Sequence, residues 1–197
     1  MAMKRTWGFL VFGLLFSVTA CSITITLPGR SPSPAPYGTT VPSTPLPASP
    51  ALVLDACPFL AVAEVARLTG ISGEIKPLEQ SAHVGGPVEK RYGCLYENAV
   101  QPAGLAPHLQ IVIPLKPDST SVAFVDETAK ASCREPFTVI GGVGDKTMYC
   151  ESGKDPAKAV LLVGKLSRGE VRLAVLDIVK ARPDAYERIA KLLARRL

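Results

Sequence analysis

Apolar positions along this chain fall into three regimes. From Trp7 to Val18 almost every residue is apolar or small, and none is charged. Residues 22–50 show no hydrophobic period; Pro28, Pro32, Pro34, Pro36, Pro42, Pro45, Pro47 and Pro50 are set among Ser, Thr, Ala and Gly. From Ala51 onward the apolar residues recur with the spacings of helices and strands. Pro58 stands at a first helical position, and Phe59, Leu60, Val62, Val65 and Leu68 recur at helical spacing up to Gly70, which predicts one helix starting at Cys57. Strands are expected over Gly73–Leu78, Arg91–Tyr96 and Leu109–Leu115, separated by loops over Ser81–Lys90 and Gln101–Pro107. Asp118 or Ser119 caps a second helix carrying Val122, Phe124, Val125 and Ala129, and Pro136 ends that region. Short strands then follow at Phe137–Ile140 and Lys146–Glu151. Ala159–Leu166 and Glu170–Ile178 flank Ser167-Arg168-Gly169 as a hairpin. Both hairpin strands are apolar on successive residues, as strands covered on both faces are. Pro183 opens a last helix with Tyr186, Ile189, Leu192 and Leu193 as its buried stripe.

Helix, three strands, helix, four strands and helix is the order of an α+β domain: a mostly antiparallel, twisted sheet with helices packed on it. Ala51 to Leu197 is about 147 residues, the size of one ordinary domain. The chain thus divides into 1–20, a leader; 21–50, a linker; and 51–197, a folded head.

Lys4 and Arg5 precede the apolar run of about twelve residues, which suits the core of a signal peptide and falls short of the roughly 20 needed to span a bilayer. Thr19 and Ala20 are small and Cys21 follows at once. Val18-Thr19-Ala20-Cys21 resembles the lipobox of bacterial lipoproteins. That resemblance implies a diacylglyceryl group on the Cys21 thiol, cleavage before Cys21, and a lipid-anchored protein on the extracytoplasmic face of the cell membrane. Two acyl chains suffice for stable attachment where one is marginal. The proline-rich segment propagates neither helix nor sheet. At about 3.1 Å per residue as extended polyproline II it is a stalk.

Charge adds little to that picture. Without Lys4 and Arg5, the 22 basic residues become 20 against 17 acidic ones, a net +3. Much of the excess sits in Arg182, Arg188, Lys191, Arg195 and Arg196, a cationic helix end that complements the helix dipole and is a secondary candidate for anionic headgroups. No basic stripe interleaved with aromatics exists, so no nucleic-acid partner is expected. Setting Cys21 aside leaves an even four cysteines, Cys57, Cys94, Cys133 and Cys150. In an oxidising compartment these favour two disulfides. Of three possible pairings the sequential one, Cys57–Cys94 with Cys133–Cys150, gives each half of the domain its own staple, contributing about 4 and about 3 kcal/mol by loop entropy. Without a C-x-x-C pair, a zinc site or a redox pair is a weak alternative.

Catalytic spacing is missing. His83 and His108 fall in Gly/Pro-rich loops without metal spacing and are read as solvated. No serine elbow is present. Gly141-Gly142-Val143-Gly144-Asp145 lacks the second half of a dinucleotide fingerprint and reads as a turn with positive φ, oriented by Asp145. Ser152-Gly153-Lys154-Asp155 is too short for a P-loop, and the adjacent Asp126 and Glu127 point apart. No catalytic residue, metal or cofactor is therefore expected.

Four motifs share an order: Cys57 to Gly70, Cys94-Leu95-Tyr96, Gly142-Val143-Gly144-Asp145, and Arg182 to Leu197. Their order resembles that of the small actinobacterial, mycobacterial-type secreted lipoproteins built on a domain of unknown function, part of which resembles the PsbP-like fold. The resemblance implies fold and location and carries no agreed activity. The expected role is a non-catalytic domain that binds an envelope protein or supports an envelope complex. A carrier or sensor of an apolar or lipid ligand is the alternative, and an envelope hydrolase is a third.

Overall fold

A computed structural model describes residues 46, 49–84, 88–101 and 104–197. The leader, Cys21 and most of the proline-rich linker lie outside the described residues, as do Gly85-Gly86-Pro87.

The first apolar stretch forms two pieces rather than one helix. Cys57–Phe59 is a single 3₁₀ turn, and α1 spans Val62–Thr69. Leu60 and Ala61 between them are extended. The break has a cause far away in sequence. Buried Tyr96 donates its hydroxyl proton to the Leu60 carbonyl, and the Glu64 carboxylate accepts from the Ala61 N–H, restarting the helix there. Gly70 caps α1 in the left-handed region, as its position predicts.

Seven strands follow: β1 (Ile75–Val84), β2 (Glu89–Asn98), β3 (His108–Pro114), β4 (Cys133–Val139), β5 (Lys146–Ser152), β6 (Lys158–Ser167) and β7 (Glu170–Val179). They form one antiparallel sheet in the order β1-β2-β3-β7-β6-β5-β4. Two meanders, β1–β3 and β4–β7, are thus zipped together at β3 and β7. The α2 helix (Ser121–Ser132) connects them, and α3 (Pro183–Arg196) ends the chain. The expected loop over Ser81–Lys90 is mostly strand, because β1 runs to Val84 and β2 begins at Glu89. Thr120, not Asp118 or Ser119, caps α2, accepting from the Ala123 N–H. Pro136 does not end the region but lies inside β4, within a register irregularity of an edge strand, where a missing N–H costs nothing.

Both faces of the central strands are buried, as their apolar runs predict. On one face α1, the 3₁₀ turn and α3 cover Leu161, Val163, Leu176 and Ile178. On the other, Val125 and Ala129 of α2 cover Leu162, Leu173 and Val175. Gly164 allows the close approach of α2: a Cβ there would meet Val125 at 2.5 Å and the Ser121 carbonyl at 3.0 Å. The Tyr149 and Tyr186 rings stack at 4.4 Å and hold α3 to β5.

The disulfides join Cys57 to Cys94 and Cys133 to Cys150, the sequential pairing. The first ties the 3₁₀ turn to β2, next to the Tyr96 contact. Arg196 is more than part of a cationic end. Its guanidinium forks onto Glu64 at 2.6 and 2.7 Å and reaches the Phe59 carbonyl at 2.8 Å, so α3 is bolted to α1. Arg172, 1% exposed inside apolar β7, donates to the main-chain oxygens of Pro50, Ala51 and Leu197 and pairs with Glu170. Residues 49–51 are thereby fixed beside the β6–β7 turn, and Leu46 packs on the same core.

Candidate functional site

The α2 helix packs on β5, β6 and β7, and among the described residues no helix covers the same face of β1, β2 and β3. Strand alternation decides what that bare half presents. Cys94 and Tyr96 point into the core, so Leu95 points out; Leu109 and Ile111 point in, so His108 and Gln110 point out. Register aligns Leu78, Leu95, His108 and Asp177 in one row across β1, β2, β3 and β7. Gln80, Gly93, Gln110 and Val175 form the next. Arg91 lies one step further along β2.

These side chains form a hydrogen-bonded layer. The His108 ring lies 2.9 Å from Gln80, its Nε2–H donating to Oε1. Gln80 reaches it by lying flat across Gly93, where a Cβ would stand 2.5 Å from Oε1 and 3.0 Å from the Gln80 Cβ. Gly93 is therefore the residue that lets β1 touch β3 across β2. Arg91 donates to the Gln110 amide oxygen at 3.0 Å and pairs with Glu89. Burial pushes the His108 pKa down, and Lys158 adds to this against the pull of Asp177. Burial pushes the Asp177 carboxyl up, opposed by His108, Lys158 and Lys154. Both shifts come first from partial burial at the edge of the layer.

Two hollows flank the layer. One, about 340 Å³, runs between α2 and the sheet, bounded by Arg91, Gln110, Glu127, Thr128 and Asp177. The other, about 530 Å³, lies at the opposite end against Lys76, Leu95, Glu97, Val100 and Ala106. Both are open, and charged groups line each. Among the described residues, His108 makes no hydrogen bond to Asp177 or to a hydroxyl. Its partner is an amide, which orients the ring without activating a nucleophile.

Neither histidine is the loop residue the sequence suggests. His83 is exposed within β1, and His108 opens β3 half-buried. The glycine-rich turn does adopt positive φ, 72° at Gly142 and 61° at Gly144. The Asp145 carboxylate accepts from the Ser121 hydroxyl and the Leu166 N–H, both at 2.6 Å, tying the start of α2 to β6. Asp126 pairs with Lys146 at 2.6 Å. Cys94 lies between Gly93 and Leu95 but faces the core, so its bridge to Cys57 sits on the opposite side of β2 from the His108 layer. That layer combines positions 80, 93, 108 and 177, none adjacent in sequence. Its one readable sign was a charge, Asp177, interrupting the apolar run of β7.

Comparisons with protein-family models, with curated proteins and with solved structures each find no match to this chain.

Proposed function

We propose that this protein is an extracytoplasmic lipoprotein, anchored through Cys21, whose head binds an envelope protein on the bare half of its sheet and carries out no chemistry. The observation that carries the reading is the layer on β1–β3: apolar Leu78 and Leu95 at its centre, ringed by Lys76, Gln80, Arg91, Glu97 and His108. An apolar middle within a polar rim is the composition of a non-obligate protein interface. Interleaved charges of both signs suit a partner surface of mixed charge rather than a lipid. The carrier alternative has less support, because buried side chains fill the space between sheet and helices, and the larger hollow is open and carries Glu74, Lys76 and Glu97.

A photo-cross-linking residue in place of Leu95 should give a discrete adduct with one envelope protein, lost on Arg91→Glu. The same residue at exposed Lys130 on α2 should give none. Equal labelling from both positions would overturn the reading. For the anchor, the native protein should stay in the membrane fraction through a high-salt wash while Cys21→Ala is released; retention of the variant through that wash would contradict acylation at Cys21.

A further inference from the structure

The β6–β7 turn marks one end of the sheet. Register brings the end of β3, the start of β2 and the start of β5 to that same end: Val112 pairs with Leu173, Glu89 with Pro114, and Lys146 with Gly164. The start of α2 is tied there through Ser121, Asp145 and Leu166, and the end of α3 through Lys165 to the Ala194 carbonyl. Residues 49–51 join the domain at this end as well. Ser49 accepts from Lys165 and Arg168, and Arg172 holds the carbonyls of Pro50 and Ala51.

This end carries apolar side chains that none of the described residues covers. Leu52 is 65% exposed, Leu166 56%, Val122 43%, and Leu115 and Val88 42% each. Leu115 and Val88 are neighbours, since the Leu115 N–H donates to the Val88 carbonyl. Around them stand Lys90, Lys116, Lys165, Arg168 and Arg195. Two acids at this end are paired with arginines, Glu89 with Arg91 and Glu170 with Arg172. Asp145, held by the neutral Ser121 hydroxyl and Leu166 N–H, and Asp118 keep their charge, and the five basic residues outnumber them. Among the described residues the opposite end exposes Val100, with Leu78 nearby on the bare half of the sheet, and there Glu74, Glu97, Asp155 and Asp184 offset Lys76, Lys180 and Arg182.

We propose that the end where the stalk joins is a membrane-contacting surface, seating its leucines and valines among anionic phospholipid headgroups while its lysines and arginines pair with their charges. Scattered leucines would carry little meaning alone; here they share one end with a cationic rim and with the chain that leads back to residue 21. Each basic residue near an anionic surface contributes about 1 kcal/mol, and tethering keeps the bilayer at high effective concentration. Weak contacts are then enough to orient the head, with the bare half-sheet at the side and the end bearing Val100 outward. The biological setting rests on the anchored reading of Cys21; the surface itself does not.

The test uses the mature chain from residue 21 with Cys21→Ala, which has no acyl group. The one tryptophan of the sequence, Trp7, precedes this chain, so Leu166→Trp supplies a sole reporter. Its emission should shift to the blue with vesicles of phosphatidylglycerol and phosphatidylcholine, and return with added salt. Val100→Trp should not shift. Lys116→Glu with Arg168→Glu should weaken binding at least about five-fold, with the melting temperature checked to show that the fold survives. No shift at Leu166→Trp, an equal shift at Val100→Trp, or equal binding to pure phosphatidylcholine would overturn the proposal. Failure here leaves the anchor untouched, because fractionation of Cys21→Ala tests that separately.

Discussion

One face of the sheet is divided into two halves that obey different rules. Under α2, the strands β6 and β7 bury six successive residues each, Ala159–Gly164 and Val171–Leu176. Beside it, β1 and β2 carry the same number of residues but present Lys76, Gln80, Arg91 and Glu97 on their outer side. The covered half supplies stability, since its apolar area is removed from water on both faces. The bare half contributes through one face only. Its outward residues are therefore free of the demands of packing, and hydrogen bonds laid across β1, β2 and β3 on the outer side add little to holding the fold. Stability is thus concentrated in one half of the face, and the proposed recognition surface lies in the other.

The largest expected effect is in the covered half. Leu162→Ala removes a fully buried side chain between α2 and the sheet and should cost about 3 kcal/mol in urea unfolding, whereas Leu95→Ala on the bare half should cost under about 1 kcal/mol. Similar costs for both would erase the distinction. Next comes the bolt between α1 and α3. Burial would raise the Glu64 carboxyl, but hydrogen bonds from Arg196 and the Ala61 N–H, with the Arg196 charge, outweigh it and hold the pKa below its ordinary value. A group whose folded pKa is lowered adds stability above its unfolded pKa, and that stability is lost as pH falls through the folded value. Glu64→Gln should therefore cost about 2 kcal/mol at neutral pH, and the gap between variant and native protein should narrow on acidification below the ordinary carboxylate range. A constant gap from pH 7 to pH 3 would show that Glu64 acts by packing alone.

What could be read from the sequence follows the same division. The β6–β7 hairpin is legible because strands covered on both faces carry runs of successive apolar residues and Arg168-Gly169 closes the turn, with φ of 52° and 80°. The α3 stripe is legible because one helix face meets one core. Two disulfides follow from the even count once Cys21 is set aside, and their sequential pairing follows from giving each half of the domain its own staple. Less legible is whatever depends on a distant partner. The break at Leu60 answers to Tyr96, 36 residues on. The outer part of β1 is polar and exposed, so it carries no apolar period and reads as a loop. β4 is an edge strand with Pro136 inside it. The His108 layer draws on four strands, so no local spacing announces it, and the burial of Arg172 carries no sequence signal because, Glu170 apart, its partners are main-chain oxygens that any residue could provide.

The smallest effect is the most informative about the bare half. Gly93→Ala puts a methyl where the Gln80 amide lies, and the Gln80 Cβ at 3.0 Å leaves that side chain little room to yield in place. Gln80 must swing away, taking the His108 hydrogen bond with it. The stability cost should be about 1 kcal/mol or less, since the outward layer is not what holds the sheet. The ring should respond more clearly. Burial is the main reason the His108 pKa is low, and Gln80 contributes to that cover. Opening it to water should let the pKa rise toward the ordinary histidine value, read from the imidazole proton shifts in an NMR titration. Gln80→Ala should raise it in the same direction, while Lys158→Gln should raise it by removing a repelling charge with the Gln80 bond intact. If Gly93→Ala leaves the His108 titration unchanged, the layer across β2 is not a unit, and the bare half is an ordinary solvated face.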